Sequence, residues 1–315
     1  MTDINRAIEQ LDWNREPRSL YEPVEYALAS GGKRLRPTLA LLASQMFGGN
    51  DEEVLPAALA LEVFHNFTLL HDDVMDRAEV RRGRPTVHVL WNDNTAILSG
   101  DQMMIEAYRL LSGVPDDRLP KVLRMFNDMA TGICEGQQYD MDFETRQDVS
   151  MDEYMHMIRL KTSVLLANAL QTGAYIAGAN DAQQQHIYNY GINLGLAFQI
   201  QDDLLDVYGD PATFGKAIGG DILCGKKTFM LLTAMQTATP SVREEIEAHL
   251  NATDTPQHKI ASVTAIYDRL HVREKAEQTI AGYTGKALEC LDSLPHNDAA
   301  ETLRSLANKL TNRKI

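Results

Sequence analysis

The sequence predicts an all-α protein, a single domain over residues 1–315 built from about ten or eleven helices, and three observations lead there. Apolar residues recur at helical spacing over most of the chain. No run of alternating polar and apolar residues reads as a strand. Gly and Pro gather between the periodic stretches. From Pro56 to Asp76, the residues Leu59, Val63, Phe67, Leu70 and Val74 follow one another at steps of three or four, which places them on one helix face. Lys121 to Tyr139, Asp152 to Ala177 and Gln183 to Asp206 read the same way. Breaks fall at Gly48-Gly49, Gly83 to Pro85, Gly113 to Pro115, Gly178, Gly209 to Pro211, Gly219-Gly220, Pro240, Pro256 and Pro295. No Ser/Gly/Pro-rich linker divides the chain and no solenoid repeat appears, so the expectation is helices packed on helices in one domain. From about Pro240 onward the pattern is amphipathic helix and loop without evident chemistry.

Composition narrows the function. Hydrophobic residues make up 44% and charged residues 23%, enough apolar material for a large core and too much for a disordered chain. The net charge of −14 argues against binding nucleic acid or anionic membrane over the whole surface. The cysteines Cys134, Cys224 and Cys290 are far apart and form neither a zinc framework nor a disulfide scaffold, which suits a reducing, cytoplasmic location. Charges scattered from Asp3 to Arg18 leave no apolar core for a signal peptide. The longest uncharged stretch, Thr162 to Asn180, contains Asn168, Gln171, Thr172 and Gly173 and reads as a buried helix, so no membrane span is expected.

Two acidic motifs stand out, His71-Asp72-Asp73-Val74-Met75-Asp76 and Gln201-Asp202-Asp203-Leu204-Leu205-Asp206. Each ends a strongly apolar helix. Residues four apart lie one above the other, so Asp72 with Asp76, and Asp202 with Asp206, each present two carboxylates to one point. Such pairs repel unless a cation sits between them, and hard oxygen ligands select Mg²⁺, which binds one or two carboxylates together with substrate phosphates. A single DDxxD is most simply a solvated helix end; two on apolar helices are not. The spacing of an EF-hand loop, with its central Gly and terminal Glu, is absent.

Basic islands accompany these motifs. Arg81-Arg82-Gly83 follows Asp76, and Gly31-Gly32-Lys33-Arg34-Leu35-Arg36-Pro37 sets glycines and cations before a proline suited to a helix first turn, a placement that favours a phosphate. Taken alone, that loop also reads as a solvated charge cluster. Lys161 and Thr162, Lys216, and Lys226 add further cations. A diphosphate bridged by Mg²⁺ to carboxylates and clamped by Arg and Lys explains both signs at once. His65 shares the helix face of Asp72 and Asp76 and reads equally as a satisfied core histidine or as a ligand contact.

Together these residues resemble the trans-isoprenyl diphosphate synthase (polyprenyl synthetase) family, from about Gly31 to Thr228. GGKRLRP, LLHDDVMDRAEVRRGRPTVH, ILSGD, KT, FQIQDDLLD, FGK and GGDILCGKKT stand in the family's order. The resemblance implies an all-helical homodimer, each subunit a bundle around a deep cavity, that joins isopentenyl diphosphate head to tail with an allylic diphosphate (dimethylallyl, geranyl or farnesyl). It implies that Asp72 and Asp76 hold Mg²⁺ on the allylic diphosphate, and that Asp202, with Asp203 and Asp206, holds further Mg²⁺ from the opposite wall. Arg81, Lys161, Thr162, Gln199, Lys216 and Lys226 match positions that contact the allylic diphosphate or line its site. Lys33, Arg36, His65 and Arg82 match the isopentenyl diphosphate site, and Gln137 and Asp140 a pair near the reacting carbons. Where the family often carries an acidic residue before GKKT, this chain has Cys224-Gly225.

The resemblance also bears on product length. Phe67 and Thr68, five and four residues before Asp72, lie ~6–8 Å deeper along the helix. Thr68 is in phase with Asp72 and Phe67 is not, so Phe67 is either core packing or, as in short-chain members, a floor that stops growth at C15 to C20. The expectation leans to geranylgeranyl diphosphate. A class I terpene cyclase or a non-catalytic, product-tuning synthase subunit are the competing readings. The first fits poorly with two DDxxD motifs and GGKRLRP, the second with six intact aspartates.

Overall fold

The computed structural model describes residues 3–210 and 218–311, almost wholly helical. Its contacts divide the chain into two compact units, Met1–Asn127 with Asn168–Tyr188 and Leu294–Leu303, and Asp128–Ala167 with Asn189–Ser293 and Arg304–Ile315.

The first unit opens with α1 (Ile4–Glu9), α2 (Arg18–Ala29) and α3 (Leu35–Met46), then α4 (Asp51–Met75), which packs against α2, α3 and α6 (Asp93–Leu111). α4 starts five residues before Pro56, where the sequence pattern placed its beginning. The Asn50 side chain accepts the Glu52 N–H at 3.0 Å, and Asp51, Glu52 and Glu53 set negative charge in the first turn, so Pro56 is absorbed near the helix start. Among the described helices, α4 alone has the length and hydropathy of a membrane span; 61% of that apolar window is buried within the protein.

The short helix α5 (Val87–Leu90) follows a feature that periodicity did not show, a two-residue hairpin in which Val80 pairs with Pro85 and Arg81 with Arg84. Its central residues Arg82 and Gly83 have φ of 54° and 74°; positive φ at both positions marks the tight turn whose twist matches paired strands.

α7 (Leu119–Thr145) precedes the stretch from Asp152 to Ala177, which read as one helix and is three pieces: α8 (Met151–Ile158), a π-helical turn at Arg159–Ser163, and α9 (Val164–Ile176). α8 is fixed by a reciprocal cap between Ser150 and Glu153. α9 realises the uncharged stretch as a buried helix, with Leu165, Leu166, Leu170 and Ala174 inside. Then come α10 (Asp181–Tyr208), α11 (Gly220–Cys224), α12 (Phe229–Thr237), α13 (Pro240–Asn251), α14 (Pro256–Arg269), α15 (Val272–Asp292) and α16 (Asp298–Thr311). In the second unit α12 packs on α15, and α14 on α11 and α13. The π turn is hemmed in by two glycines there. A β-carbon on Gly136 of α7 would lie 2.4 Å from the Lys161 nitrogen, and one on Gly195 of α10 would lie 2.5 Å from Ser163 Cα.

Candidate functional site

Each unit carries one acidic motif with its own cations. In the first, α4 stays helical through the motif and ends with Asp76 as its cap, whose N–H bonds to the Asp72 carbonyl at 2.8 Å. Asp72 and Asp76 therefore stack one turn apart, Asp72 half-buried and Asp76 exposed. Asp73 is used differently. It is buried, and its Oδ1 accepts both Nε and Nη2 of Arg81 at 2.7 Å. Burial pushes the Asp73 carboxyl above its usual range, with Arg81 opposing.

The hairpin aims its arginines. Arg81 turns back to Asp73, whereas Arg82 donates to the Gly31 carbonyl and lays its guanidinium where a β-carbon on Gly32 would come within 2.8 Å. Arg84 stacks over the Tyr26 ring at 4.1 Å, tying the hairpin to α2, and Thr86 Oγ1 donates to the Ala78 carbonyl, closing the hairpin's base. His65 is half-buried. Burial lowers its pKa well below the ordinary value, and Arg36, Arg82, Arg81 and Arg34 lower it further, in that order, so it stands neutral among four guanidinium groups. Lys33 is exposed and Arg36 half-buried at the start of α3. The structure thus brings Arg36, His65, Arg81 and Arg82 together.

Phe67 is buried, its ring 4.8 Å from that of His71 and 5.3 Å from that of Phe64. Phe64 meets Phe126, which meets Tyr108, so an aromatic row runs from the motif into the first unit. Thr68 donates to the His65 carbonyl at 2.8 Å.

In the second unit, Asp202 and Asp206 are half-buried on α10 and Asp203 is buried. Asp206 Oδ2 accepts the Asp221 N–H at 3.0 Å, and the Asp206 carbonyl accepts the Gly219 N–H. Asp203 is held by three donors, the Tyr154 hydroxyl, the Phe229 N–H at 2.9 Å and Gln199 Nε2 at 3.2 Å. Burial pushes Asp203 up to about 7, against those donors. Thr162 donates to Gln199 Oε1 at 3.0 Å, so one chain of hydrogen bonds runs from the π turn to the motif. Asp140 lies between Lys161, at 2.6 Å, and Lys226, at 3.2 Å. Burial alone would raise its pKa; Lys226 and Lys161 bring it below the usual carboxylate range. Gln137 is half-buried one residue after Gly136. Lys216 lies outside the described residues.

Sequence reasoning gave no separate role to Arg34, Glu62, Tyr154 or Asp221. All four act through contacts distant in sequence, for which no local spacing exists. The signal that could have found Glu62 is a carboxylate on the apolar face of α4. Among the described residues, no three His, Cys, Asp or Glu side chains form a ready metal-binding group.

Known proteins place this chain. A short chain isoprenyl diphosphate synthase of Methanothermobacter thermautotrophicus is 38% identical over 299 residues, covering 95% of this chain and 91% of that protein. A crystal structure of geranylgeranyl pyrophosphate synthase superposes with a TM-score of 0.93 at 42% identity, with 100% of both chains covered. Another, of polyprenyl synthase from Caulobacter crescentus CB15 complexed with calcium and isoprenyl diphosphate, matches at TM-score 0.89 and 30% identity over 99% of this chain and 94% of that one. The sequence model of polyprenyl synthetases matches residues 17–268, and with it the chain belongs to the polyprenyl synthetase family.

Proposed function

We propose that the protein is a prenyltransferase that condenses isopentenyl diphosphate with an allylic diphosphate, 1′-4 and head to tail, to give an all-trans C15–C20 prenyl diphosphate, geranylgeranyl diphosphate foremost, and free diphosphate. The observation that carries the reading is the same division of labour in both acidic motifs. The middle carboxylate, Asp73 or Asp203, is buried in hydrogen bonds, while the outer two, Asp72 with Asp76 and Asp202 with Asp206, lie nearer the surface one turn apart. Two hard oxygen donors per motif are what Mg²⁺ takes alongside phosphate and water, so the donor set fits that ion without a complete protein cage. Asp203, expected as a third ligand of the second motif, serves in this reading by positioning Gln199 and the 228–229 turn.

When bound, Mg²⁺ supplies charge neutralisation for a departing diphosphate. The chain's own part is cationic. Lys161 and Lys226, set by Asp140, donate to the allylic diphosphate as its C–O bond breaks, with Thr162 and Gln199 beside them; Arg81, set by Asp73, and Lys216 are the further cations that the family resemblance assigns to that diphosphate. Lys33, Arg36 and Arg82 hold the diphosphate of the second substrate, and neutral His65 stands close to Arg36 and Arg82. The double bond of isopentenyl diphosphate attacks the allylic cation at short range, and the proton it then loses passes to the departed diphosphate. Gln137 and Asp140 lie beside this chemistry. The buried Phe67, with Thr68 one residue on, sets how far the product grows. One domain carries both acidic motifs, as the family match running through both units supports. The unpaired cysteines suit a cytoplasmic enzyme.

The test is condensation by the purified chain, with prenols analysed after dephosphorylation. Activity should vanish on chelation of Mg²⁺ and fall by orders of magnitude in Asp72→Asn and Asp202→Asn. Full-rate turnover by either variant ends the proposal. Hydrocarbon formed without isopentenyl diphosphate would indicate a cyclase instead.

A further inference from the structure

Arg34 is the cation of GGKRLRP that turns inward. It adopts a left-handed backbone, φ 45°, at the cap before α3, and its side chain is 8% exposed. Nη1 meets Glu62 Oε1 at 2.8 Å and Nη2 donates to the Leu28 carbonyl at 2.6 Å. Glu62 is 2% exposed, and Asn66 Nδ2 donates to the same Oε1 at 3.3 Å. The remaining atoms, Arg34 Nε and Glu62 Oε2, have no hydrogen-bond partner. A buried pair joined through one contact with a spare polar atom on each side is a poor source of stability. Its surroundings give it another use. Arg34, Arg36, Arg81 and Arg82 all bear on His65, three residues after Glu62. Asp73 is engaged with Arg81. Burial pulls the Arg82 pKa below its ordinary value, and Glu62 is the largest charge opposing that.

We propose that Glu62 is the resident counter-anion of this arginine cluster, holding it together while no diphosphate is bound and weakening diphosphate binding by its own charge. The inference rests on reading Lys33, Arg36, His65 and Arg82 as the isopentenyl diphosphate site. A buried negative charge offsets the mutual repulsion of the guanidinium groups in the empty site. When a substrate diphosphate arrives it takes over that role, and Glu62 then repels it, which eases release.

The experiment is calorimetric titration with inorganic diphosphate in EDTA, where metal-dependent binding is silent, together with thermal melting. Glu62→Gln should melt lower than wild type without ligand, bind diphosphate about tenfold more tightly, and gain more in Tm from it. The double variant Arg34→Met with Glu62→Met removes one charge of each sign and should bind within about threefold of wild type. Equal or weaker binding by Glu62→Gln overturns the proposal, because an anchoring role alone predicts that result. A Glu62→Gln chain that folds only with diphosphate present supports it; one that stays unfolded at saturating diphosphate overturns it. Arg36→Gln should abolish the signal. If wild type binds no diphosphate in EDTA, or Arg36→Gln binds fully, the reading of the cluster fails and this inference with it. If wild type binds, Arg36→Gln does not, and Glu62→Gln is no tighter, only the counter-anion role is lost.

Discussion

Gly136 faces the backbone of Lys161 so closely that a β-carbon on the glycine would stand 2.4 Å from the lysine nitrogen and 2.8 Å from its Cα. Backbone cannot yield as a side-chain tip can, so Gly136→Ala must shift the π turn that carries Lys161 and Thr162. Displacements of about 1 Å cost on the order of a hundredfold in rate, and that loss in kcat is the expected outcome. Gly282→Ala is the control. It lies in α15 with nothing within 4 Å of its β-carbon, and should leave turnover unchanged while raising Tm slightly.

Phe67→Ala should lengthen the products made from dimethylallyl, geranyl or farnesyl diphosphate, read by chromatography of the prenols. The ring is buried against Phe64 and His71, so the variant loses about 3–5 kcal/mol of stability and should be assayed well below its lowered Tm. An unchanged product profile would reduce Phe67 to core packing.

His65 gives a pH dependence of definite sign. Its folded pKa lies well below the ordinary value of about 6.5, so the unfolded chain binds a proton that the native chain refuses. Native stability should decline as pH falls from about 7 through 6.5 and on toward the lowered pKa. Denaturant melts at pH 8 and pH 5.5 should show a smaller difference for His65→Gln than for wild type. Equal differences would mean that this imidazole titrates normally.

A homodimer has a surface to form on. Val89 and Leu90 of α5 and Ile97, Leu98, Ile105 and Tyr108 of α6 are exposed, and on α6 they recur at helical spacing. An apolar face of this kind on a monomer favours a self-complementary twofold contact with a second copy. Light scattering should give a dimer mass for wild type and a monomer mass for Ile105→Lys; a dimer that survives the lysine would place the contact elsewhere.

What the sequence made legible is whatever local spacing encodes. Asp72 and Asp76 share a face because α4 is regular there, and a step of four can be read from letters. The cations of GGKRLRP and Arg81-Arg82 could be named, but their division could not. Arg34 turns inward to Glu62, Arg82 reaches Gly31, and Arg81 engages Asp73 because of a hairpin two residues per strand long. Periodicity needs more residues than that to register. The π turn escaped for a related reason, since one extra residue hardly disturbs an apolar pattern as dense as that from Ser163 to Leu170. Asp203 looked like its neighbours Asp202 and Asp206; only its partners Tyr154, Gln199 and Phe229, distant or across a turn, set it apart.

The π turn at Arg159–Ser163 amounts to one residue inserted into an otherwise α-helical rod. Removing a single residue there would let ordinary helix close up and rotate all that precedes the deletion by about 100° against all that follows. Lys161 and Thr162 would then swing off the side that Gly136 and Gly195 now accept, although every residue type the reaction calls on would still be present. Register, as much as composition, is what a designer shortening this helix would have to conserve.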